Sequence, residues 1–146
     1  VFELSNFYDY CKGRDILIIP YAGMPSAGAT IRDGTSYGIF LDFTKIPTTR
    51  QLRGICAHEV GHASTGALHK VCSPYETVER SEHRANRWVA ENILTEDDFR
   101  EAFTAGYTEP WQLAEYFDLP EEEIQKSFSY WKDCRGIDFL SEEEDK

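Results

Sequence analysis

His58-Glu59-Val60-Gly61-His62, preceded by Thr48-Thr49-Arg50-Gln51, is the stretch whose reading decides the fold. The Thr48 tetrad is a capping-box helix start, and Leu52, Ile55, Cys56, Val60, Ala63 and Ala67 continue a helical apolar pattern, so the pentapeptide lies inside a helix. On a helix, residues i and i+4 share a face. Both imidazoles therefore reach one metal ion, and the glutamate between them stands beside the position left open. A lone buried histidine is usually a hydrogen-bonded core residue, and a lone helical glutamate is usually solvated. Two histidines and a glutamate in this register, among apolar or small neighbours, are the pattern of a zinc-dependent hydrolase.

Upstream, Ile16 to Tyr21, Ala29 to Ile31 and Tyr37 to Phe43 read as strands, and Asp33-Gly34 between the last two is a hairpin turn signal. They predict a small antiparallel sheet of about three strands. Phe2, Phe7, Tyr8 and Cys11 form a short amphipathic helix that Gly13 ends. Downstream, Ser73, Pro74 and Glu76 mark the start of a second long helix reaching about Ile93 or Leu94. Helices over Thr95 to Gly106, Thr108 to Phe117 and Pro120 to Lys132 follow, the last two around an Asp118-Leu119 turn. Strands first and helices after describe an α+β domain.

At 146 residues, 41 % apolar and 14 % aromatic, the chain is sized for one compact domain, expected over residues 1–140. Glu142, Glu143, Glu144 and Asp145 make residues 141–146 an acidic, disordered tail. The longest apolar run, Ile16 to Ile19, is strand length, so no membrane span is expected. Cys11, Cys56, Cys72 and Cys134 are dispersed without a C-x-x-C pair and read as reduced thiols, with Cys56 in the core. No secretory signal is visible, and the cytoplasm is the expected location. A net charge of −11 repels phosphate backbones and anionic lipid, which argues against nucleic acid or membrane as direct partners.

A hydrolytic zinc ion takes three protein ligands and leaves one position for water. The extended metzincin pattern needs a glycine three residues and a histidine six residues after His62, where this chain has Thr65 and Leu68. Gly66 and His69 miss by one position, and on a continuing helix His69 lies about 10 Å from His62, too far to share the ion. The second helix offers Glu76, Glu79 and Glu82. At about 100° per residue, Glu82 falls in the middle of the stripe formed by Val78, Ala85, Val89 and Ile93, with Glu79 on its edge. A carboxylate on an apolar face is costly unless paired or bound to metal, so Glu82 is the candidate third ligand, with an ion pair to an arginine as its plain alternative. His83 is turned toward solvent.

Trp111 to Trp131 has the helix-turn-helix outline of a DNA reader, but its second helix opens on Glu121-Glu122-Glu123, which repel phosphate. The aromatic residues Trp111, Tyr116, Phe117, Phe128 and Trp131 are expected in the core.

Two segments resemble the ImmA/IrrE metallopeptidases, found beside repressors of phages and integrative elements. One is Ala57 to His62; the other is Glu82-His83-Arg84-Ala85-Asn86-Arg87-Trp88-Val89-Ala90, similar to the family's glutamate-bearing helix with its Ala-Asn-x-aromatic core. Leu113 to Phe117 is similar to the segment that follows. The resemblance implies a zincin-like helical core and a gluzincin-like site, with His58, His62 and Glu82 on one zinc ion and Glu59 as general base. It also implies a protein substrate, a helix-turn-helix repressor encoded nearby; a zinc-stabilised module that binds the repressor without cutting it is the alternative. Arg84 stands where many members have glutamate, and Thr95 where many have proline. An extended substrate is expected to pair with a strand edge at Gly38 to Asp42, by β-augmentation.

Overall fold

The computed structural model describes residues 2–66 and 78–140. Helix α1 (Leu4–Gly13) buries Phe7 and Cys11. Strands β1 (Ile16–Pro20), β2 (Gly28–Asp33) and β3 (Ser36–Leu41) form one sheet in the order β1-β3-β2. The Asp33-Gly34 signal marks a two-residue hairpin turn, Gly34-Thr35 between the paired Asp33 and Ser36, in which Gly34 adopts φ +67°, the positive value that such turns demand. Ile39 and Leu41 of β3 are fully buried and Ile16 of β1 nearly so, whereas Leu17 and Ile31 on the opposite face are more than half exposed, the alternation a half-covered sheet requires.

The sheet is mixed rather than antiparallel. The hairpin makes β2 and β3 antiparallel, but β1 runs parallel to β3, with Ile16 opposite Tyr37 and Pro20 opposite Leu41. The cause is the connection over residues 21–27, which crosses the end of β3 and carries the chain to the far side of that strand. Asp42 holds the crossing: its carboxylate accepts from the amides of Gly23 (2.9 Å) and Met24 (3.0 Å) on one side and from Thr44 and Lys45 on the other. Because β3 is paired along both sides, Gly38 to Asp42 is not the exposed edge expected above. Among the described residues, the open edges belong to β1 and β2.

Thr48 caps α2 (Thr49–Thr65) by accepting from the Gln51 amide at 3.1 Å, and Gly66 ends it in the left-handed conformation. His69, Cys72 and the expected start at Ser73, Pro74 and Glu76 lie outside the described residues, as does the acidic tail. Next come α3 (Val78–Asn92), α4 (Glu96–Thr104) behind a Thr95–Asp98 capping box, α5 (Pro110–Phe117) and α6 (Glu121–Ser129). Asp118 turns the chain between α5 and α6 with φ +55°. No helix among the described residues is long and apolar enough to cross a membrane.

Two apolar clusters result. One joins α1, the sheet and α2 through residues such as Phe7, Ile39, Leu41, Cys56 and Val60; the other joins α3 to α6 through Leu94, Phe99, Phe117, Ile124 and Trp131. Ile93, just past the end of α3, packs against both. Of the expected aromatic core, Phe117 and Trp131 are buried, and Tyr116 and Phe128 are partly so. Trp111 is instead 55 % exposed, because α5 turns Leu113, Ala114 and Phe117 inward and the residue after Pro110 faces away from that side. Arg53, almost wholly buried on α2, donates to the carbonyls of Phe2 and Asp118 and so ties the start of the chain and the α5–α6 turn to one helix. Burial pushes the thiols of Cys11 and Cys56 up to about 11 and about 12, keeping both protonated.

The Thr44 hydroxyl first, then Lys45 and the amides of Met24 and Thr44, hold the Asp42 carboxyl far below its ordinary range, against the opposing effect of burial. With the folded pKa depressed, its contribution to stability is complete above the unfolded value of about 4 and fades as pH falls below it. Melting temperatures measured from pH 7 to pH 2 should therefore show Asp42→Asn less stable than the wild type at neutral pH, with the gap narrowing below about pH 4.

Candidate metal centre

The side chains of α2 divide among three neighbours by helical phase. Cys56, Val60 and Ala63 enter the sheet-side core, Glu59 turns toward β2, and His58 and His62 face α3. Gly61 decides how near α3 comes. A Cβ there would sit 2.8 Å from the Ala85 carbonyl oxygen and 3.2 Å from Val89 Cγ2, so the two helices cross at a spacing that only glycine permits.

That crossing brings Glu82 to both histidines. His58 Nε2 lies 3.2 Å from Glu82 Oε1, His62 Nε2 lies 3.0 Å from Glu82 Oε2, and the two Nε2 atoms are 3.2 Å apart. A neutral imidazole nitrogen facing inward and a carboxylate oxygen are both electron-pair donors, so crowding three of them is favourable only around a cation or shared protons. An ion with tetrahedral bonds of about 2.0–2.1 Å keeps its donor atoms about 3.3 Å apart, close to the spacing found. The donor set of two imidazoles and one carboxylate thus fits a small divalent ion in both chemistry and size, and the three residues form a group able to hold one. His62 is fully buried, while the His58 and Glu82 side chains are 14 % and 31 % exposed, so the centre is anchored inside and open on one side.

Glu59 is only 3 % exposed, yet it borders a cleft of about 580 Å³ that it shares with His58, Gly28, Gln51, Ile55 and Pro120. The Thr30 hydroxyl, 2.7 Å from Glu59 Oε1, donates to it from the middle of β2. Gly28, two residues earlier, lets the bare strand backbone lie against the glutamate: a Cβ there would be 2.6 Å from Ile55 Cγ2 and 3.3 Å from Glu59 Oε2. Thr30 and Gly28 belong to the candidate site although nothing in the one-dimensional pattern marked them. A threonine and a glycine in a strand are ordinary residues until the strand is placed against α2.

The other candidates take lesser places. Glu79 is exposed and outside the group, and Glu76 and His69 lie outside the described residues. His83 is exposed and borders a hollow of about 520 Å³, beside Asn86 and Arg87, that adjoins the cleft at Glu122 and Lys126.

The family model described as Peptidase M78, IrrE N-terminal-like domain, matches residues 11–129, a span from α1 to the end of α6 that includes His58, Glu59, His62 and Glu82. Neither curated proteins nor solved structures give a match.

Glu82→Ala should weaken binding of a divalent metal ion by more than the 10- to 100-fold typical of losing a residue that only orients a ligand, as read by competition with a chromogenic chelator. Gly61→Ala should lower stability by about 1–3 kcal/mol in urea unfolding, since the atom in its way is backbone and cannot swing aside. Metal affinity should fall with it.

Proposed function

Because the chain belongs to the Peptidase M78 family of IrrE N-terminal-like domains, we propose that it is a zinc-dependent metallopeptidase that hydrolyses a peptide bond in a protein partner. Its ligands are His58, His62 and Glu82, and its general base is Glu59. The observation that carries this reading is the convergence of three donor side chains, with contacts of 3.0–3.2 Å between them, beside a buried glutamate that opens on a cleft. A metal held only for structure needs no such glutamate and no open side.

The chemistry that zinc supplies when bound there is polarisation of a carbonyl and acidification of a water molecule toward a pKa of about 7. Glu59 takes the proton of the attacking water and delivers it to the leaving amine, a role open to a carboxylate held beside the ion on the same helix. His62 would hold the ion from the interior, and His58 and Glu82 would complete the set at the mouth. The extended substrate lies along the open edge of β2. In an antiparallel ladder every second residue turns its main chain outward. Since Asp42 donates to the Ala27 carbonyl at 2.9 Å, it is Gly28 and Thr30 whose main chains face that edge, next to Glu59.

The resemblance to the ImmA/IrrE metallopeptidases supports a helix-turn-helix repressor encoded nearby as the substrate, and so a cytoplasmic site of action. Direct nucleic-acid binding has no support in this geometry: α6 carries Glu121 and Glu122 exposed at its start and packs against α3 and α5.

Incubation with the neighbouring repressor, with and without chelator, tests the proposal. Fragments should form only with zinc, and Glu59→Gln should keep one zinc per chain while losing at least about 100-fold in cleavage rate. Equal cleavage by Glu59→Gln would remove the glutamate from its role, and a stable complex without fragments would identify a binding module instead.

A further inference from the structure

We infer that Thr30 is a positioning residue that sets the general base in register with the substrate strand, an inference that rests on the peptidase reading above. Thr30 occupies the centre of β2 and is 3 % exposed. Its hydroxyl has one proton and two acceptors nearby, Glu59 Oε1 at 2.7 Å and the Glu59 main-chain carbonyl at 3.1 Å. The carboxylate is nearer and charged, so it is the stronger acceptor.

The tether leaves Glu59 little freedom. Oε1 is held by Thr30, and the other oxygen lies beside Gly28, where even a methyl group would come within 3.3 Å of it. The helix fixes one end of the glutamate and the strand fixes the other. A glutamate side chain otherwise loses much rotamer entropy when it is held in one conformation. Here the folded strand has already imposed that conformation before substrate arrives.

The same residue faces the substrate with its main chain. Side chains along a strand alternate between faces, while the backbone groups of alternate residues point to one edge. At Thr30 the two patterns coincide, with the side chain on the base and the amide and carbonyl toward the open edge of β2. A peptide that pairs with this edge is therefore placed relative to Glu59 by a single residue. An error of about 1 Å in such a placement costs on the order of 100-fold in rate, which is why a shared anchor matters.

Thr30→Val keeps the shape, the strand preference and the main-chain edge while removing the hydroxyl. Thr30→Ser keeps the hydroxyl and loses a methyl group. The test uses the zinc-loaded full chain with unfolded casein as probe, and compares the wild type, Thr30→Val, Thr30→Ser and Glu59→Gln for zinc content, KM and kcat. Thr30→Val should lose about 10- to 100-fold in kcat, with KM within about twofold and zinc content unchanged, and Thr30→Ser should recover most of the loss. Unchanged kcat in Thr30→Val, a loss confined to KM, or a serine variant as slow as the valine variant would each overturn the role while leaving the peptidase reading intact. Wild-type protein no faster than Glu59→Gln would overturn both.

Discussion

The close crossing of α2 and α3 at Gly61 is the constraint on which the centre depends. A side chain at that position would meet the Ala85 carbonyl, and the helices would have to part. Glu82 lies one turn before the contact on α3 and His62 one residue after it on α2, so any separation there acts directly on the 3.0 Å approach of carboxylate to imidazole. Two further close approaches surround the same helix. A Cβ at Gly54 would meet the ring of Pro120 at 2.5 Å, and one at Gly28 would meet Ile55 at 2.6 Å. α2 is thus fitted on three sides by contacts that leave no room for a side chain, and its polar groups inherit that precision.

Such a centre buries groups that folding disfavours. His62, Glu59, Thr30 and Asp42 are all at most 3 % exposed, and a buried polar or charged group is costly unless it is hydrogen-bonded or paired. Thr30 serves Glu59, Glu82 faces His62, and Asp42 collects amides from two loops. The compensating apolar burial lies to either side, with Ile39 and Leu41 under the sheet-side half and Phe99 and Leu94 within the helical half. Each such side chain contributes about 1.5–3 kcal/mol when fully buried. The polar centre sits where the two clusters meet, with α3 belonging to both.

Much of this was legible before any coordinates. Thr48, the period of α2, the His-Glu-x-x-His register and the helix start at Thr95 are local features whose physical meaning depends on residues within one or two helical turns. Glu82 was legible for the same reason, since helical phase put it among Ala85 and Val89 on the buried side of α3. The α5–α6 turn at Asp118 and the hairpin at Gly34 also came through, because each is a short-range backbone preference.

What escaped a linear reading involves contacts between residues far apart. The direction of β1 depends on a connection wound around Asp42, so a sheet that looked antiparallel is mixed, and the free edge moved from Gly38–Asp42 to β2. Trp111 turned outward because the packing of Leu113 and Phe117 chose the face of α5. Thr30 acquired its relation to Glu59 from a strand laid against a helix that begins about twenty residues later in the chain. Local sequence was therefore enough to single out His58, Glu59, His62 and Glu82 as candidates, since their chemistry and spacing are set within single helices. How closely those helices approach, and which strand meets Glu59, was decided by tertiary packing, because only there do the absent side chains of Gly61 and Gly28 have anything to make room for.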